Sequence, residues 1–304
     1  MSEPSALSVR AALPTQRRRR ASERPMGALD FSLALVPHVV HREVSARGTV
    51  VRDALLRRAA MAFLRASCAL ELRVVNPVAL ALAEGRGPFA IPTELRLEAL
   101  RLYRDETDHA LRSAEVLASM GGALDGEAPA FLTRFEVHVP PQAEDDLARL
   151  QRFLLVFVVE TTSSAQLASL AKDPFLRPDL RELVAHHAMD EARHYALFTA
   201  LFRELVARST DDERILYEES IAAHLDDYLA PDVAVARRDL CAVGISGRDA
   251  DAIIADSYGE AMRERAIHDG GRSTWAAVRR AGRELSDREA LERESRPAVP
   301  IGRS

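Results

Sequence analysis

Cysteine, lysine and aromatic residues are all scarce in this chain of 304 residues. Two cysteines cannot build a disulfide framework, which excludes the small disulfide-stapled secreted proteins. The only lysine is Lys172 and the net charge is −5, so nucleic acid is not expected as a general partner. The longest unbroken apolar stretches, such as residues 154–159, are far shorter than the ~20 residues of a membrane span, so no membrane partner is expected.

The N-terminus also lacks the pattern of a secretory leader, because no apolar run precedes Arg17. We interpret residues 1–26, with their prolines and the run Arg17–Arg20, as a flexible basic N-terminal arm. Such a run could bind an anionic partner, but a solvated tail is the simpler interpretation in a net-acidic chain. With few cysteines and no leader, we expect a cytoplasmic protein.

Glycine is absent between Gly126 and Gly244, which favours long uninterrupted helices. Long helices are predicted at about 51–84, 93–120, 142–172 and 178–209. Pro77 should kink or break the first of them. Residues 121–141 form a long connection, with a short extended piece expected at 135–139.

Few segments alternate with period 2, so the sequence predicts an all-α fold. Four long helices with a long middle link have the connection of a ferritin-like four-helix bundle. A capping box from Thr210 to Glu213 opens a fifth helix. Additional C-terminal helices are predicted at about 232–242, 247–269 and 272–283. We therefore expect one helical domain over residues 27–285 and a polar tail over 286–304.

Two Glu-x-x-His motifs lie in the middle of predicted long helices, at Glu106 to His109 and at Glu191 to His194. Residues three apart share one helix face, so a carboxylate and an imidazole can bind the same ion. One motif has little weight, since about one is expected by chance in a chain of this composition. The context carries more weight, because each motif follows a long helix with a single glutamate in an apolar stretch.

Those single glutamates are Glu71 and Glu160, and a buried carboxylate without a partner is rare. One Glu from each of two helices and one Glu-x-x-His from each of the others is the ligand set of a di-iron or di-manganese site. His187 lies four residues before Glu191 and seven before His194, on the same helix face. Spacing alone leaves open whether His187 binds metal or only packs nearby.

Asp105 and Asp190 each precede a motif glutamate by one position. We interpret them as acceptors for imidazole N–H groups, each crossing to the histidine of the other motif. The alternative is that both are solvent-exposed charges.

Taken together, these residues resemble the para-aminobenzoate N-oxygenase (AurF-like) family of non-haem di-iron oxygenases, over about residues 50–200. A third histidine ligand one turn before the last Glu-x-x-His distinguishes that family, and His187 matches it. The resemblance implies seven metal ligands, which are Glu71, Glu106, His109, Glu160, His187, Glu191 and His194. It gives no substrate contact, and no catalytic residue beyond the metal site.

The resemblance also implies two iron ions as cofactor, O2 as co-substrate and a small-molecule amine, an arylamine, as substrate. Oxidation would pass through a peroxo-diferric intermediate and lead towards hydroxylamine, nitroso and nitro products in natural-product biosynthesis. No G-x-G-x-x-G motif occurs, so electrons are expected from an external donor, a ferredoxin or a reductase. We expect a homodimer, because the helical C-terminal third needs a surface to pack against.

Three alternatives remain at this point. The same ligands would serve a di-iron C-hydroxylase or desaturase, which forms C–OH or C=C instead of N–O bonds. A ferritin-like iron-oxidising or storage protein has four helices and a short fifth, whereas this chain continues far beyond residue 230. A metal-free scaffold is disfavoured, because buried carboxylates without a cation repel each other and their pKa values rise.

Overall fold

The computed structural model describes residues 27–294, with side chains described as far as residue 284. Across these residues the chain is helical, and its one strand-like feature is an isolated bridge between Leu29 and Leu176. The predicted all-α fold is thereby confirmed. The predicted basic arm at 1–26, with Arg17–Arg20, and residues 295–304 of the predicted tail lie outside the described residues.

The described helices are α1 (Arg42–Ser45), α2 (Thr49–Leu70), α3 (Asn76–Ala83), α4 (Thr93–Ser119), α5 (Ala130–His138), α6 (Asp146–Ala171), α7 (Pro178–Val206), α8 (Asp211–Leu229), α9 (Val233–Ala242), α10 (Gly247–Ser257), α11 (Glu260–Gly270) and α12 (Arg272–Glu294). A π-helical turn, Glu71–Val75, joins α2 to α3 in one continuous helix. Two 3-10 turns, Leu33–Leu35 and Pro37–Val40, precede α1. Helix α12 extends past the predicted domain boundary at residue 285.

Four long helices form the bundle: the continuous α2–α3 helix, α4, α6 and α7. The α2–α3 helix packs on α4, and α6 packs on α7. Helix α4 also packs on α7, and the π-turn contacts both α4 and α6. The four helices enclose two apolar clusters, to which each of them contributes. The long connection between the two pairs contains α5. This is the ferritin-like connection predicted from the sequence.

Pro77 does not break the first helix. Proline lacks an N–H group, and its ring clashes with the carbonyl four residues earlier. The π-turn just before it accommodates this defect, since the N–H of Asn76 donates to the Glu71 carbonyl five residues back. An extra residue is thereby inserted into the helix at Glu71, and such turns are frequent at functional sites.

Two other local expectations were wrong. Residues 135–138 are not extended but end helix α5, where Leu132 and Phe135 are buried against the bundle. The segment predicted as one helix at 247–269 is divided into α10 and α11, with Gly259 as the N-cap of α11. Helix α5 packs its buried residues against distant helices, which a window of sequence does not contain. The break between α10 and α11 falls at Gly259, which is a local signal that the prediction did not use.

The C-terminal third of the chain packs on its own bundle. Helix α12 lies against α6 and α7, and α8 lies against α6. The surface that we expected a second copy to supply is therefore supplied within the chain. The packing of the C-terminal third gives no physical reason for a homodimer.

Two of the long helices, Thr49–Ala83 and Asp146–Ala171, are long and apolar enough to span a membrane by length and composition alone. More than half of the apolar window of each lies buried inside the bundle. Each also carries a buried glutamate, Glu71 or Glu160. These are the properties of core helices.

Stacked phenylalanine rings fasten α6 to α7 in the core. Phe157 and Phe202 stack with ring centroids 4.5 Å apart, and Phe157 is completely buried.

Replacing Phe157 with Ala should lower the free energy of unfolding by about 3–5 kcal/mol, measured by urea denaturation. The matched control, Phe175→Ala, removes a ring that is 62% exposed and should change it by less than about 0.5 kcal/mol. Equal effects of the two substitutions would contradict this packing.

Candidate metal centre

The seven predicted ligands converge in the middle of the bundle. The π-turn contributes Glu71, and α6 contributes Glu160 at the end of its apolar run. Helix α4 contributes Glu106 and His109, and α7 contributes His187, Glu191 and His194. None of the seven is more than 7% exposed.

Six of these residues offer their ligand atoms in two groups of four. One group is Glu106, His109, His187 and Glu191, and the other is Glu106, Glu160, Glu191 and His194. Within each group all ligand atoms lie within 4.8 Å of one another. Glu106 and Glu191 belong to both groups, which is the arrangement expected of carboxylates shared by two ions. Glu71 belongs to neither group but lies beside Glu106.

Imidazole nitrogens approach the carboxylates closely in both groups. Nδ1 of His194 lies 2.7 Å from Oε1 of Glu106 and 3.3 Å from Oε2 of Glu160. Nε2 of His187 lies 2.8 Å from Oε1 of Glu191. The rings of His109 and His187 face each other, with centroids 3.8 Å apart.

The donor atoms of this cluster fit a bound cation. Among the described residues, one oxygen of each of the four glutamates and both nitrogens of His194 are buried without a hydrogen-bond partner. Nδ1 of His194 and Oε1 of Glu106 approach closely without the geometry of a hydrogen bond. Two donor atoms aimed at a common ion have this arrangement. Mixed carboxylate and imidazole donors suit Fe(II).

The electrostatics of the cluster also favour a bound cation. Burial, together with the charge of neighbouring glutamates, raises the pKa of Glu71, Glu160 and Glu191. Burial also acts to raise the pKa of Glu106, but the His109 and His194 imidazoles beside it hold it well below its usual range. A divalent cation would remove the mutual repulsion of these carboxylates.

Asp105 and Asp190 lie on the outer side of the imidazoles. Oδ2 of Asp190 is 3.2 Å from Nε2 of His109, and Oδ2 of Asp105 is 3.6 Å from Nε2 of His194. Each aspartate thus contacts the histidine of the other motif. Burial acts to raise the pKa of Asp105, but His194 and the neighbouring arginines hold it well below its usual range.

Arg193 joins the two aspartates, which sequence reasoning missed. One of its terminal nitrogens lies 2.5 Å from Oδ2 of Asp105 and 3.0 Å from Oδ1 of Asp190. It therefore links α7 to α4 directly outside the cluster. The sequence offered one signal, since the corresponding position of the first motif is Asp108, so the two motifs differ in charge there.

Tyr228 of α8 was also missed. Burial raises its pKa, and the charges of Glu191, Glu71 and Glu160 act in the same direction. The ring packs edge-on against Phe131 with centroids 5.2 Å apart. No sequence signal distinguishes Tyr228, because its neighbours Asp226, Asp227 and Leu229 are ordinary for an amphipathic helix.

Comparisons with known proteins show the family to which the chain is similar. The family model described as P-aminobenzoate N-oxygenase AurF matches residues 28–282. A curated protein of Streptomyces thioluteus, named 4-aminobenzoate N-oxygenase, is 30% identical over 140 residues. That alignment covers 45% of this chain and 40% of the relative, so the aligned part spans less than half of the relative's length. The family match contains the whole bundle and all seven predicted ligands.

Replacing Glu191 with Gln should abolish stabilisation by metal without unfolding the metal-free protein. The raised pKa of Glu191 favours its neutral form, which an amide mimics closely. Anaerobic Fe(II) at about 100 times its Kd should stabilise the unmodified protein by about 2.7 kcal/mol, measured by thermal unfolding. The variant should gain nothing from the metal.

The matched control is Glu204→Gln on the same helix, which breaks a surface ion pair with Arg208. This pair contributes little to stability, so the control should respond to Fe(II) as the unmodified protein does. A Glu191→Gln variant stabilised by Fe(II) to the same extent would exclude Glu191 as a ligand.

Proposed function

The chain belongs to the P-aminobenzoate N-oxygenase AurF family, and from this premise we propose that it is a non-haem di-iron oxygenase. We propose that it oxidises the amine nitrogen of a small molecule, an arylamine, towards hydroxylamine, nitroso and nitro products. The observation that carries the proposal is the convergence of four carboxylates and three imidazoles in the bundle core. Two iron ions bound there would supply electrons for the reduction of O2.

The protein's own residues hold and orient the ligands in this proposal. Asp190 accepts from Nε2 of His109, and the Asp105 carboxylate lies 3.6 Å from Nε2 of His194. Nδ1 of both rings faces Glu106. Such partners fix the tautomer and raise the basicity of the ligand. The completely buried side chains around Glu160, such as Phe157 and Thr161, exclude bulk water from the site.

His187 supports the N-oxygenase assignment over a storage function. The usual bundle site has two imidazoles, and the third here is the feature shared with the family resemblance. Burial lowers the pKa of His187 to about 3, so its ring is neutral and retains a lone pair for a metal. We propose that it binds one of the two ions.

We further propose dioxygen as co-substrate and an external electron donor, a ferredoxin or a reductase, which returns electrons to the site after turnover. We place the reaction in natural-product biosynthesis in the cytoplasm. We also propose a homodimer, because the chain exposes an apolar surface that a second copy can cover. One face of α4 exposes an apolar stripe, formed by Leu97, Leu100, Tyr103 and Leu111, and a second copy would cover it.

The substrate of the relative supplies the first probe, since its name specifies 4-aminobenzoate. Protein loaded with two Fe(II) and given O2 and this arylamine should form a product with an N–O bond, detected by mass spectrometry with 18O2. Oxygen should enter at nitrogen, because the proposal places N-oxidation at the metal site. Glu191→Gln, loaded in the same way, is the control and should form none.

Other outcomes of that experiment would contradict the proposal. A ring-hydroxylated product would assign the site to a C-hydroxylase. Iron uptake into a cage-sized particle, measured by light scattering, would assign it to storage, whereas a particle of two chains agrees with the proposed homodimer.

His187 and the exposed Met189 of the same helix offer a second, matched test. His187→Ala should lower the bound iron below two per chain. It should also reduce N-oxidation at least tenfold, because loss of even a residue that only orients a metal ligand lowers metal affinity or activity about 10–100-fold. Met189 is 78% exposed on the same helix, and Met189→Ala should retain both iron and activity. Iron content is measured by metal analysis and turnover by the arylamine assay. Unchanged iron and turnover in His187→Ala would remove it from the ligand set.

A further inference from the structure

Three buried threonine hydroxyls meet beside Glu160. Thr161 and Thr162 follow Glu160 directly on α6, and Thr274 comes from the first turn of α12. All three threonines have no exposed surface. Oγ1 of Thr274 lies 2.7 Å from Oγ1 of Thr161 and 3.0 Å from Oγ1 of Thr162. We call this group the hydroxyl clasp.

The direction of the hydrogen bonds in the clasp follows from its acceptors. Each hydroxyl has one proton. Thr161 can donate to the Phe157 carbonyl at 2.6 Å, which leaves its oxygen free to accept from Thr274. Thr274 then accepts from Thr162, and every proton of the chain is used. The opposite direction would leave the Thr162 proton without a described acceptor, so the first direction is favoured.

Neighbouring residues of α12 extend the clasp to two of the ligand helices, α6 and α7. The hydroxyl of Ser273 donates to the Thr161 carbonyl. The Tyr195 hydroxyl, which follows His194 on α7, lies 3.4 Å from the Ser273 carbonyl. The start of α12 is thus bonded next to Glu160 on one helix and next to His194 on the other.

Two glycines let α12 begin at this place. A Cβ atom on Gly271 would lie 2.8 Å from the Ile267 carbonyl, and one on Gly270 would lie 2.9 Å from the side chain of Leu229. A larger residue at Gly271 would meet the backbone of the preceding turn, so the chain between α11 and α12 would have to shift. The two glycines therefore allow the tight link that leads into the first turn of α12, where Thr274 lies.

We infer that Thr274 is a positioning residue, which acts through Thr161 and Thr162 to hold the Glu160 carboxylate in the geometry that the metal requires. The inference rests on the proposed di-iron site. It assigns α12 a part in metal binding, although α12 contributes no ligand. Buried hydrogen-bond chains of this kind hold a backbone segment in one arrangement, and a partly satisfied chain is costly.

The test compares Thr274→Val, which keeps the shape but removes the hydroxyl, with Thr274→Ser, which restores it. Full-length protein is depleted of metal with a chelator and titrated with Co(II), followed by visible absorption. Thr274→Val should bind Co(II) about tenfold more weakly, as when other groups that orient a ligand are removed. Thr274→Ser should lie within about threefold of the unmodified protein.

Ala281→Gly is the matched control for general loosening of α12. Ala281 is buried on the same helix, away from the clasp, so the variant should lower the melting temperature while leaving Co(II) affinity unchanged. If Thr274→Val does not fold, Ser273→Ala takes its place in the comparison and should also weaken Co(II) binding, because it frees the Thr161 carbonyl.

The outcomes separate this inference from the proposed function. Failure of the unmodified protein to bind two Co(II) ions overturns the metal site itself. Two ions bound with equal affinity by the unmodified protein and Thr274→Val overturn only the role of Thr274. The role is also overturned if Ala281→Gly weakens binding as much as Thr274→Val, or if Thr274→Ser does not restore it.

Discussion

The repulsion among four buried carboxylates is the constraint on which the rest of the structure depends. Glu71, Glu106, Glu160 and Glu191 come from four different helical segments and form one buried cluster. Burial penalises each charge, and each charge penalises its neighbours. A cation offsets both penalties, so the bundle has its least favourable electrostatics where its proposed function lies. The remaining packing, above all the stacked rings between α6 and α7, has to hold the helices together against this local cost.

Most of the surroundings of the cluster can be understood as links between opposite helices. The crossed contacts of Asp105 and Asp190 connect α4 with α7, and Arg193 joins both aspartates from outside. The hydroxyl clasp connects α12 with α6. Each link ends one residue away from a ligand, or on the ligand itself. A displacement of one helix would therefore move ligands of both groups of four residues together. This suits a site in which Glu106 and Glu191 belong to both groups.

The sequence predicted the features of the site that depend on local spacing. A carboxylate and an imidazole three residues apart share a helix face wherever that helix lies, so Glu106, His109, Glu191 and His194 were identifiable without coordinates. The features that were missed depend on contacts between distant segments. Thr161 and Thr274 are 113 positions apart, and Arg193 and Asp105 are 88 apart. The π-turn at Glu71 is an intermediate case. Pro77 predicted a defect in the helix, but the sequence did not predict that the defect would be a π-turn.

The ligand set by itself decides less about the reaction than it does about the metal. Carboxylates and imidazoles in a bundle core serve hydroxylases, storage proteins and N-oxygenases alike, because the metal performs the oxygen chemistry in all of them. The choice of nitrogen over carbon must therefore come from groups that position the substrate near the ions. Tyr228 is one polar side chain of this region that is neither a proposed ligand nor a partner of one, since the charges of Glu71, Glu160 and Glu191 act on its pKa. It stands on α8, outside the four ligand helices.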